Sequence, residues 1–171
     1  MAAAGQRPYQ RLHELFSGRE DYRVECVLQD STGIIWFGTN RGLFRYDGFS
    51  YEKFTVSDGL AEDRISSLCW IHHDLLWIGH SGGAISQFDG REFSRFEPEE
   101  GLGEVEVTNI ALDHSGLIWY STMGEGLFRY DGRHLANSDS IVGGQPKISL
   151  PVNFNIIHIV VGQSILGIKV G

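Results

Sequence analysis

Three aspartates are the first residues to test for chemistry. Asp47, Asp89 and Asp131 recur at intervals of 42 residues, each followed by glycine. A working carboxylate is needed once per site, so repetition at a fixed interval points to turn formation, where an Asp side chain bonds its own backbone. Asp30 and Asp113 each stand three residues before a glycine and six before a tryptophan, and the same structural reading applies. His72-His73, with His80 nearby, have the chemistry of metal ligands. Adjacent histidines on a strand point to opposite faces, and no further ligand has a compelling spacing. Glu97, Glu99 and Glu100, around Pro98, read as a solvated turn rather than a pair of acid–base carboxylates. No phosphate loop and no Gly-x-Ser-x-Gly nucleophile turn is present.

The sequence therefore assigns no catalytic, metal or cofactor-binding residue, and the expectation is a protein that is not an enzyme. Unrepeated loop features are the better candidates for ligand contact: Trp70, the His72-His73-Asp74 turn, and Met123-Gly124-Glu125. Trp70 aligns with Gln29 and Leu112 of the neighbouring units, and core packing is the simpler reading for it. No residue is assigned to ligand binding on this basis.

The elements that would carry these residues form a repeat. Trp36, Trp77 and Trp119 are spaced 41 and 42 apart, and Tyr46, Phe88 and Tyr130 precede the three Asp-Gly pairs. Apolar pairs Val24/Val27, Ile65/Leu68 and Val107/Ile110 open each unit, and Gly59-Leu60 recurs as Gly101-Leu102. Within the first unit, Val24 to Leu28 is β-prone, Gln29 to Gly33 is a turn, and Ile34 to Thr39 is a strand apolar on both faces. Leu43 to Tyr46 and Tyr51 to Thr55 alternate, joined by Asp47-Gly48, a strong hairpin signal because both residues tolerate positive φ. Four short antiparallel strands in about 40–45 residues is the size of one propeller blade. The middle unit departs from the pattern: His72-His73-Asp74 lacks the turn glycine, and Ala84 stands where Gly42 and Gly126 stand.

The fold expected is all-β, a partial or small β-propeller of about three to four four-stranded blades. Residues 1–21 form an amino-terminal segment with a possible outer blade strand, followed by blades over 22–64, 65–106 and 107–135. Residues 136–150 read as a linker, and 151–171 as degenerate blade strands led by Ile156 to Val161.

Composition narrows the function. At 171 residues with 42% hydrophobic and 21% charged side chains, the chain can bury a core. A formal net charge of −8 argues against nucleic acid as a partner, since phosphate affinity comes mainly from Lys and Arg. Cys26 and Cys69 fall in apolar runs and read as buried thiols rather than a disulfide or metal pair. Met1 to Arg7 lacks the apolar stretch of a secretory signal. The uncharged run from Pro151 to Ile168 is interrupted by Asn153, Asn155, His158, Gln163 and Ser164, and suits a buried strand better than a membrane span.

The run Asp30…Gly33-Ile34-Ile35-Trp36-Phe37-Gly38-Thr39…Gly42-Leu43-Phe44-Arg45-Tyr46-Asp47-Gly48 resembles the two-component regulator propeller repeat. Asp113…Gly116-Leu117-Ile118-Trp119…Gly126-Leu127-Phe128-Arg129-Tyr130-Asp131-Gly132 resembles it as well, with Ser121 where the family usually has glycine. The resemblance covers about residues 9–132. It implies a ligand-sensing, periplasmic propeller tuned to a small molecule or carbohydrate. It also implies further blades and a kinase module in a full-length protein. Asp30 and Asp113 also resemble the Asp-box turn of sialidase-type propellers, itself a structural device. The alternatives are a protein-interaction scaffold and a propeller glycoside hydrolase or lyase.

Overall fold

The computed structural model describes residues 21–72, 74–97 and 104–137. Twelve strands form three four-stranded antiparallel sheets, each a meander in sequence order. The first holds β1 (Val24–Gln29), β2 (Ile35–Thr39), β3 (Gly42–Tyr46) and β4 (Tyr51–Phe54). The second holds β5 (Ile65–Ile71), β6 (Leu75–His80), β7 (Ile85–Phe88) and β8 (Phe93–Arg95). The third holds β9 (Val107–Leu112), β10 (Ile118–Thr122), β11 (Gly126–Tyr130) and β12 (Leu135–Asn137). Among the described residues the one helical turn is a 3-10 segment at Val56–Asp58, in the crossover from the first sheet to the second.

Register makes the three sheets copies of one another. Trp36 pairs with Leu28, Trp77 with Cys69 and Trp119 with Ala111, so each tryptophan occupies the same place on its second strand. Each first strand also breaks register near its start: between Val24 and Cys26, between Ile65 and Ser67, and opposite Ser121 and Thr122. The third blade reaches Asn137, beyond the boundary expected at 135, because Leu135, Ala136 and Asn137 pair with Tyr130, Arg129 and Phe128. Leu-Ala-Asn has no alternation to announce a strand. The amino-terminal segment to residue 20 and the segments from 138 onward lie outside the described residues.

The blades stack sideways through apolar layers. Trp36 and Leu43 of the first blade pack with Ile65, Leu76, Ile78 and Phe88 of the second. Trp77 and Ile85 of the second pack with Val107, Ile110, Ile118, Tyr120 and Phe128 of the third. Polar groups tie the inner strands: the Ser66 hydroxyl donates to the Val107 carbonyl, and Ser67 Oγ accepts from the Ile110 N–H at 2.9 Å. Close approach explains one recurrent glycine. A Cβ on Gly38 would lie 2.4 Å from Ile65 Cγ2, and one on Gly79 would lie 2.9 Å from Val107 Cγ1. Ser121 holds the equivalent place on the third blade, which has no fourth blade against it among the described residues.

Exposure follows from this stacking. Leu43 and Ile85 are fully buried, whereas the equivalent Leu127 is 39% exposed. At the other end of the stack Val27 is 64% exposed, while the equivalent Ile110 is 4% exposed.

Candidate functional site

The Asp-Gly hairpins are built alike. Asp47 Oδ1 accepts from the N–H groups of Phe49 and Ser50, Asp89 Oδ1 from Arg91 and Glu92, and Asp131 Oδ1 from Arg133 and His134. Positive φ is confined to the glycines, at 95°, 92° and 93° for Gly48, Gly90 and Gly132. The aspartates thus serve as acceptors rather than as positive-φ residues, which revises the reading of the dipeptide. Backbone N–H donors hold all three carboxyls below the ordinary range, Asp131 at about 2.

The second kind of aspartate anchors a tryptophan. Asp30 Oδ1 accepts from the N–H groups of Thr32 and Ile34 and from the Thr32 hydroxyl, and Oδ2 accepts from the Trp36 indole at 3.2 Å. Asp113 repeats this with Ser115, Leu117 and the Trp119 indole at 2.8 Å. Burial alone would raise these carboxyls, but the hydrogen bonds outweigh it and both end below the ordinary value. The second blade has Ile71 at this position, and the buried Trp77 indole N–H has no hydrogen-bond partner. Its turn also differs: Gly33 and Gly116 carry positive φ, whereas here His72 does, at 58°.

The metal candidates separate. His72 sits in an exposed turn rather than on a strand, and His80 is buried at the far end of β6 beside Ser86. His73 lies outside the described residues. No group of three ligating side chains occurs among the described residues. Glu97 is exposed and lies 3.9 Å from Arg95, while Glu99 and Glu100 fall outside the described residues. Cys26 and Cys69 are free and half-buried, and burial pushes both thiols up, Cys26 to about 12, which disfavours the nucleophilic thiolate.

Trp70 packs edge-on against Trp36, with ring centroids 6.1 Å apart, so it belongs to the layer between the first two blades. The other two loop candidates lie at opposite ends of the stack, because successive turns of a meander alternate between ends. His72 and Asp74 share an end with the Asp30 and Asp113 turns. Met123-Gly124-Glu125 lies at the other end, with Asn40-Arg41, Ser81-Gly82-Gly83 and the crossovers between blades.

Those two ends differ chemically. One end carries the repeated Asp turns described above. At the other, the turns differ in composition but share one backbone bond: the N–H groups of Asn40, Ser81 and Met123 donate to the carbonyls of Arg23, Arg64 and Glu106 at 3.1, 3.1 and 2.9 Å. Side-chain bonds are added differently in the first two blades, where Asn40 Nδ2 donates to the Asp21 carbonyl at 2.9 Å and Glu62 accepts from the Gly82 and Ala84 N–H groups at 2.8 and 3.2 Å. Sequence reasoning missed Glu62. Nothing in its position announces a side chain that closes a turn 20 residues away.

Sheets of this size, stacked face to face with equivalent tryptophans, are β-propeller blades. Residues 18–41 match the model of the two-component regulator propeller. No curated protein matches the sequence. Among solved structures, the chain is similar to the extracellular domain of BT4673 from B. thetaiotaomicron, described as a one-component system. Identity is 34% and the TM-score 0.57, over 70% of this chain and 16% of that one. The extracellular domain of the hybrid two-component system BT3049 from the same organism aligns at 23% identity and TM-score 0.60, over 69% of this chain and 17% of that one. A catalytically inactive virginiamycin B lyase from Staphylococcus aureus shares the fold at 14% identity and TM-score 0.55, over 70% of this chain and 41% of that one. The chain thus spans about one sixth of the first two relatives.

Proposed function

We propose that this chain is part of a ligand-sensing propeller of a two-component regulator, acting without catalysis and joined to further blades in a longer protein. The supporting observation is the contrast between the two ends of the stack: one fixed by repeated Asp turns, the other keeping a shared backbone bond while its turn residues and side-chain contacts change from blade to blade. A scaffold needs repetition, whereas recognition needs positions free to differ. The ligand surface is therefore the end bearing Asn40-Arg41, Ser81-Gly82-Gly83 and Met123-Gly124-Glu125. Its mixed polar and charged character, with Arg23, Arg64 and Glu125 exposed, suits a polyhydroxylated ligand such as a carbohydrate. The exposed edge at Leu127 is where a further blade would dock.

Calorimetric titration with a panel of mono- and oligosaccharides tests this reading. Binding that is weakened by Met123→Ala or Glu125→Ala, and unaffected by His72→Ala, supports it. Binding disturbed only from the Asp-turn end would sink it. Turnover of any glycoside would instead favour the propeller lyase or hydrolase reading, whose sole support is the fold shared with the lyase.

A further inference from the structure

The middle blade departs from its neighbours at two positions that touch. Where the first and third blades have Thr39 with Phe44, and Thr122 with Phe128, the second has His80 with Ser86. Both replacements are fully buried. Thr39 and Thr122 close their own turns by donating to the carbonyls of Gly42 and Gly126. His80 instead places Nε2 at 2.8 Å from Ser86 Oγ, and that hydroxyl accepts from the Ala61 N–H at 2.9 Å. Ala61 belongs to the crossover that carries the chain from the first blade to the second.

With Ala61 as its donor, the Ser86 hydroxyl is free to direct its own proton at Nε2, an arrangement that leaves Nε2 bare and places the imidazole proton on Nδ1. Nδ1 is buried and makes no hydrogen bond of good geometry, although the Arg64 carbonyl lies close enough to the ring to favour a proton on it. We propose that His80 makes this crossover acid-releasable: the neutral ring receives the Ser86 hydroxyl and holds Ala61, and the protonated ring turns that acceptor into a donor and breaks the relay. Once both ring nitrogens carry protons, Ser86 Oγ faces two donors and its own proton loses its acceptor.

The groups facing the ring set its response. Burial opposes the charged form most strongly, Glu62, the Arg64 carbonyl and Asp63 favour it, and Arg95 opposes it, bringing the ring from 6.5 to about 4. Because the folded value is lowered, the unfolded chain binds the proton first. The contribution is intact above 6.5, is lost as pH falls toward about 4, and changes no further below that. Asp30 and Asp113 fail separately, since their lowered values confine their loss to pH below 3.8.

Nitrogen-15 NMR of the full chain, with urea unfolding between pH 7.5 and 4, tests the proposal. The His80 ring is expected in the Nδ1-protonated tautomer, and the folding constant is expected to fall roughly 10²–10³-fold across the window. His80→Thr combined with Ser86→Phe, which copies the neighbouring blades, is expected to lose that fall. An Nε2-protonated ring, or the same fall in the double variant, overturns the proposal. If the variant does not fold, the wild-type ring decides alone: a titration midpoint near 6.5 rejects the relay, and one near 4 supports it.

Discussion

The first and third blades tie their tryptophans with an aspartate hydrogen bond, and the middle blade holds its own by packing alone. Trp36 and Trp119 donate to Asp30 and Asp113, while Trp77 buries an unpaired indole N–H above Ile71. The middle blade is nevertheless the better enclosed: Leu76, Trp77, Ile78 and Ile85 are at most 1% exposed, sandwiched between two neighbours. A blade covered on both faces tolerates an unsatisfied donor whose cost, about 1–3 kcal/mol, is offset by extra apolar burial. A blade at the end of a stack has less burial to draw on, and there the Asp–Trp bond matters more.

The largest expected effect comes from removing an anchor. Asp113→Ala deletes two backbone caps and the indole acceptor together, and should lower unfolding free energy by about 3 kcal/mol in urea melts. Asp30→Ala should behave alike. An effect below about 1 kcal/mol in both would remove the distinction between blades. Next comes acidification: the buried His80 ring contributes a loss of about 3 kcal/mol between pH 6.5 and 4, confined to the middle blade and read as a shift in urea midpoint.

Grafting the turn sharpens the comparison. Ile71→Asp alone should destabilise by about 2 kcal/mol, because the His72 turn does not aim backbone donors at the new carboxylate. Adding Asp74→Gly supplies the glycine found at Gly33 and Gly116, and should recover most of that loss by giving Trp77 an acceptor. No recovery would show that enclosure, not turn chemistry, decides the matter. The smallest effect is a difference. Trp→Phe removes similar volume in each blade, but should cost about 1 kcal/mol more at Trp36 and Trp119 than at Trp77.

Much of this fold was legible because its landmarks are local. Asp-Gly and the tryptophans mark hairpins and strand centres, and both act within a few residues of themselves. The Asp30-to-Trp36 interval was visible as a spacing, but its hydrogen bond was not, since six residues spanning a turn can close in several ways. The His80–Ser86 exchange left a trace, two departures from the repeat in one blade, yet only geometry shows that they touch. The candidate surface was least legible. Met123 to Glu125 and the His72 turn both stand out as unrepeated, and only strand topology places them at opposite ends.

The central claim is that consecutive 42-residue units stack blade upon blade with Gly79 beneath Val107. Gly79→Cys with Val107→Cys tests it directly by oxidation and peptide mapping, because a disulfide needs Cβ atoms about 3.5–4.5 Å apart. The predicted result is a single disulfide between the two introduced thiols, formed in the native protein and absent when oxidation is carried out in urea. Native protein in which these two thiols stay unlinked, or cross-link between molecules, would contradict the stacking.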